Sequence, residues 1–199
     1  MKKWKKNCLI GVTAVALILL GFCIMLWPQP FVSTEKELTG LDFHLQEIFV
    51  YDPLRYNYGG DGYSLWVYKI PDDVIGKLSD YEILKQYPMW SALGFDDYVL
   101  VRWQKCPINV FDDKFKQVIE RAGIELNDGH RVKKNSVTST NRLEGEKTNA
   151  AKALAKPTSF YAYWYKAAKR HDGTIDVGDV YFYIIDTETK IFYKIASNV

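Results

Sequence analysis

The chain has 199 residues, 48% hydrophobic and 25% charged, with a formal net charge of +2. That length leaves room for one domain of ordinary size, or two small ones, beside an apolar leader of about 30 residues. Lys2, Lys3, Lys5 and Lys6 carry the basic excess; beyond them 22 Lys+Arg face 24 Asp+Glu, a balance of −2, so a global basic field for nucleic acid is excluded. Two of the three cysteines, Cys8 and Cys23, lie in the apolar leader, which leaves Cys106 alone and excludes a disulfide framework.

Residues 1–7 form a basic segment, and residues 8–27 carry no charge at all. At about 1.5 Å per residue such a helix spans the roughly 30 Å hydrocarbon core of a bilayer. The lysines ahead of it predict a cytoplasmic amino end, and Trp4 and Trp27 suit the headgroup regions. A single-pass helix in a bacterial inner (cytoplasmic) membrane, with the rest of the chain outside the cytoplasm, is the favoured expectation. A lipoprotein acylated at Cys23 and a cleaved signal peptide are the alternatives. Against the first, Phe22 stands where a small residue is usual and Ile24 to Trp27 prolong the apolar run; against the second, no small-x-small site follows.

Pro28 and Pro30 stop the helix, and residues 28–40 read as a polar stalk. Residues 41–199 read as one extracytoplasmic α+β domain with an antiparallel sheet and two or three helices packed on one face. Leu41, Phe43 and Leu45 alternate with polar residues and lead into Ile48-Phe49-Val50-Tyr51, which predicts a first strand. Tyr56 to Gly62 is a glycine-rich loop, Tyr63–Ile70 a second strand, and Pro71-Asp72-Asp73 opens a helix. A capping box from Ser79 to Glu82 predicts a second short helix. Tyr98–Trp103 reads as a third strand, broken at Cys106-Pro107. Asp112 is a good N-cap for a helix in which Phe115, Val118, Ile119 and Ala122 share one face, closed by Gly123. Residues 127–148 are polar and read as a mobile loop, and the alanine-rich Lys147–Lys156 as a short helix stopped by Pro157. Ser159–Tyr165, Val180–Ile185 and Ile191–Ile195 are the most strand-like runs, the last two forming a hairpin around Asp186 to Lys190.

Few residues carry a chemical signature. Asp72-Asp73, Asp96-Asp97 and Asp112-Asp113 are paired carboxylates of a kind that binds cations, yet each precedes an expected element, where Asp caps helices and fills turns. Gly59-Gly-Asp-Gly62 has only Asp61 as an oxygen ligand and lacks the lysine of a phosphate loop. His44, His130 and His171 show no metal-binding spacing, and Cys106 has no sequence context that lowers its pKa. Ser33-Thr-Glu-Lys36 matches Ser-x-x-Lys but lies in the stalk, without the companion Lys-Thr-Gly. The reading therefore assigns no catalytic residue, no metal and no cofactor. The basic run from His130 to Lys134 reads as a solvated loop with the option of meeting an anionic surface.

Tyrosine remains as the candidate recognition residue. Alternation predicts one sheet face buried, with Phe160, Trp164, Phe182 and Phe192 in the core, and one face offering tyrosines to a protein partner: Tyr161, Tyr163, Tyr165, Tyr181 and Tyr183. The single anchor, Gly59-Gly-Asp-Gly62 before an aromatic strand, Trp90 after a helix and the Tyr181-to-Tyr193 hairpin together resemble small uncharacterised single-pass bacterial envelope proteins. Some proteins of this build are immunity proteins that neutralise toxins delivered into the envelope, and the resemblance implies that role by analogy of build alone. The expected partners are the lipid bilayer and another protein, with no nucleic acid. The alternatives are an envelope hydrolase and a structural subunit of a membrane complex.

Overall fold

The aromatic and β-branched runs near the carboxyl end form the centre of a six-stranded antiparallel sheet. In the computed structural model the described residues are 34–53, 62–88, 98–108, 112–125, 139–169 and 175–198. The chain divides into two units, Met1–Thr34 and Glu35–Val199, and the fold described is that of the second. No helix among the described residues is long and apolar enough to cross a membrane; residues 8–27 lie outside them.

In chain order the elements are α1 (Thr34–Thr39), β1 (Gln46–Tyr51), β2 (Gly62–Lys69), α2 (Asp72–Leu78), α3 (Tyr81–Leu84), β3 (Tyr98–Lys105), α4 (Asp113–Arg121), α5 (Ser139–Leu154), β4 (Ser159–Lys169), β5 (Ile175–Asp186) and β6 (Ile191–Asn198). The strand order is β1-β2-β6-β5-β4-β3. The C-terminal meander β4–β5–β6 is thus the middle, the β1–β2 hairpin extends it through β6, and β3 closes the other side. Register irregularities sit on both edge strands, between Glu47 and Phe49 and between Val101 and Gln104. Such bulges twist an edge and discourage pairing with other chains.

The five helices among the described residues cover both faces, not the single face expected. Strand β5 gives the reason: Val180, Phe182, Tyr183, Ile184 and Ile185 are all 1% exposed or less. A strand apolar on both sides must be covered on both sides. One core joins Phe115, Val118, Ile119, Leu143, Ala150, Ala153 and Leu154 of α4 and α5 to Leu65, Phe182, Ile184 and Ile195. The other joins Leu38, Val74, Leu78 and Leu84 of α1 to α3 to Trp103, Phe160, Ile185 and Phe192. Burial of each large apolar side chain contributes about 1.5–3 kcal/mol, so each face holds its helices by several such groups.

Local chemistry sets the helix ends. Asp112 caps α4, its carboxylate accepting from the Phe115 N–H at 2.6 Å. Asp80, not Ser79, caps α3, accepting from the Glu82 N–H at 3.0 Å. The Ser79 hydroxyl is engaged instead with the Ile75 carbonyl of the preceding helix, at 2.8 Å. Gly40 follows α1 at φ 77°, and a Cβ there would run into the Tyr87 ring.

Three expected segments differ. Thr34–Thr39, read as stalk, is a helix whose Leu38 is 1% exposed and whose Leu38 carbonyl accepts from the Trp103 indole N–H at 2.7 Å. Leu41, Phe43 and Leu45 do point inward while Asp42 and His44 are exposed, but the paired strand begins only at Gln46. Within the polar stretch 127–148, Ser139 onward is helix: α5 buries a narrow stripe of Leu143, Ala150, Ala153 and Leu154. Its outer side carries polar pairs such as Glu144–Lys147 at 3.0 Å.

Candidate interaction surface

The five candidate tyrosines come from two adjacent strands whose register sorts them onto opposite faces. Tyr163 pairs with Phe182, Ala162 with Tyr183 and Trp164 with Tyr181. Tyr161, Tyr163 and Tyr165 therefore face α4, whereas Tyr181 and Tyr183 face the side of α1 to α3. The expected common face does not form, because side chains directly across an antiparallel pair share a face and Tyr163 lies opposite Phe182 rather than a tyrosine. Tyr165 and Tyr183 are buried, at 8% and 1% exposure, while Tyr161, Tyr163 and Tyr181 are half-buried. Of the four residues expected in the core, Phe160, Phe182 and Phe192 are buried and Trp164 is half-buried.

On the α4 side the rings form a ladder. Tyr161 and Tyr163 lie 6.4 Å apart and within 4° of parallel, and Tyr163 and Tyr165 6.5 Å apart. Phe115 packs against both Tyr161 and Tyr163, at 5.7 and 5.6 Å. Burial raises the pKa of all three phenols, and the Asp112 carboxylate at the head of α4 adds to the shift. The hydroxyls stay protonated around neutral pH and act as uncharged donors and acceptors.

On the opposite face Trp164 and Tyr181 stack at 4.0 Å, and Tyr98 meets the Trp164 ring edge-on at 5.1 Å. Burial raises the Tyr181 pKa, with Asp179 and Tyr98 adding to it. The same face holds a residue that the sequence reading did not single out. Lys194 is half-buried between Phe192 and Ala196 on β6, its ammonium 5.0 Å over the Trp66 ring. Burial lowers its pKa, and the carboxylates of Glu35 and Asp52 oppose that shift. Asp52 also accepts from the Ser64 hydroxyl at 2.9 Å. Period 2 along Phe192-Tyr-Lys-Ile-Ala196 already placed Lys194 on the Phe192 side, which was the available signal.

Outside these aromatic groups the reactive side chains have structural surroundings. Cys106 is 5% exposed, and burial pushes its thiol up to about 12, with Asp186 adding to the shift, so it is a poor nucleophile. Asp186 is 2% exposed and saturated: it accepts from Lys156 Nζ at 2.8 Å and from the Glu188 and Thr189 N–H groups at 3.1 and 3.2 Å. Asp72 pairs with Lys190 at 2.9 Å, fastening the start of α2 to the β5–β6 turn. Among the described residues no group of three or more His, Cys, Asp and Glu is placed to hold a metal ion. His44 is exposed; His130, His171, Asp61, Asp96 and Asp97, like the basic run 130–134, lie outside the described residues.

The arrangement is one of half-buried aromatic rings with neutral hydroxyls on two packed faces. Trp and Tyr in such settings supply large contact area with little loss of side-chain freedom. Comparison with protein-family models, with curated proteins and with solved structures finds no match to this chain.

Proposed function

We propose that this chain is a single-pass bacterial membrane protein that holds a protein-binding α+β domain outside the cytoplasm, and that its specific role is that of an immunity protein against an envelope-acting toxin. The observation that carries the proposal is the charge-free run of residues 8–27 behind Lys2, Lys3, Lys5 and Lys6, which matches a bilayer span with its amino end in the cytoplasm. A domain fixed in that place meets molecules that enter the envelope. The half-buried Tyr161 and Tyr163 on one face and Tyr181 on the other, the last stacked on Trp164, support a protein partner. Burial of Cys106 and the structural engagement of Asp186, Asp112 and Asp72 favour binding over hydrolysis.

The test is affinity purification of the tagged full-length protein from detergent-solubilised native membranes, beside variants carrying Tyr161→Ala with Tyr163→Ala, and Tyr181→Ala. A single stoichiometric soluble protein, lost in one of the variants while the far-ultraviolet circular dichroism of that variant stays native, supports a dedicated binder. If that partner is toxic in the envelope when expressed without this chain, the immunity role stands. Retention of the partner by both variants overturns the assignment of the tyrosines. Several membrane proteins in fixed ratio, recovered regardless of the variants, would instead mark a subunit of a membrane complex.

A further inference from the structure

We draw no further inference here: the strongest candidate, the half-buried Lys194 ammonium 5.0 Å over the Trp66 ring on the α1 side of the sheet, carries nothing because Glu35 and Asp52 already offset its charge and nothing in the structure shows what covers it.

Discussion

Replacing Asp186 by alanine tests whether the β5–β6 turn is held by one buried carboxylate. Its two oxygens accept from Lys156, Glu188 and Thr189, and the side chain is 3% exposed. Removing one partner of a fully buried pair costs about 3–5 kcal/mol. Here the cost is smaller, because Lys156 is 29% exposed and keeps Glu188 at 3.1 Å, and because Glu188 and Thr189 are exposed enough for water to reach their N–H groups. About 2 kcal/mol remains, from the lost charge-assisted bonds, which corresponds to roughly 4–8 °C in Tm for a domain of this size. The pH dependence follows from the same contacts. Burial pushes the Asp186 carboxyl up, but hydrogen bonds from Lys156 and Thr189 outweigh it, so the folded value lies below the ordinary one. That contribution is present in full above the unfolded value of about 3.9 and is lost as pH falls through the lower folded value. Hydrogen bonding to Asp186 raises the Lys156 pKa, so its contribution is present below the unfolded value of about 10.4 and is lost as pH rises through the higher folded one. Thermal unfolding of the full-length protein in detergent, followed by circular dichroism from pH 2 to 8, is the assay. Asp186→Ala should lower Tm at neutral pH and flatten the acid limb. A Tm within about 1 °C of the parent, equivalent to under about 0.5 kcal/mol, would refute the argument.

Two other substitutions probe different joints of the fold. Trp103→Phe removes the bond from its indole to the Leu38 carbonyl, which fastens α1 across the sheet. It should cost about 1–2 kcal/mol and expose residues 34–40 to limited proteolysis before the rest of the domain; uniform susceptibility along the chain would argue against that fastening role. Gly40→Ala and Gly76→Ala should act in opposite directions. At Gly40 a φ of 77° and the Tyr87 ring penalise a side chain by more than about 1 kcal/mol, whereas at Gly76, inside α2 with nothing within 4 Å, alanine should stabilise by about 0.5–1 kcal/mol. Equal effects in denaturant titrations would contradict both local readings.

Local signals proved legible where one residue type does one job. Asp112 capping α4, the inward stripe Phe115, Val118, Ile119, and the β5–β6 hairpin around Asp186 all follow from spacing alone. Placement across the sheet was less legible, for a physical reason. Alternation tells which residues of one strand share a face, but the register between strands decides which faces coincide, and register depends on long-range pairing. Tyr163 against Phe182 rather than a tyrosine is such a choice, and it distributes the candidate surface over two sides. Cover was expected on one face only, although Val180 to Ile185 is an unbroken run of apolar and aromatic residues that no one-faced sheet can expose without cost. The second half of helix α5 was legible from its alanines, but its first half, 139–146, escaped because Leu143 is the one large apolar residue in a polar run that also holds Gly145. Helix α1 escaped because a six-residue segment with two glutamates reads as solvated until Trp103 is brought to Leu38 from 65 residues away.

Where the domain sits decides the proposed function, and spheroplasts answer that directly. Membranes from cells expressing the full-length protein are extracted at alkaline pH, and intact spheroplasts are treated with added protease. With a single-pass anchor the protein should stay with the membranes, Val15→Lys with Leu19→Lys should release it, and the protease should remove the Glu35–Val199 unit without lysis. Release of the parent protein by alkali, or protection of the domain until the spheroplasts are lysed, would contradict that placement.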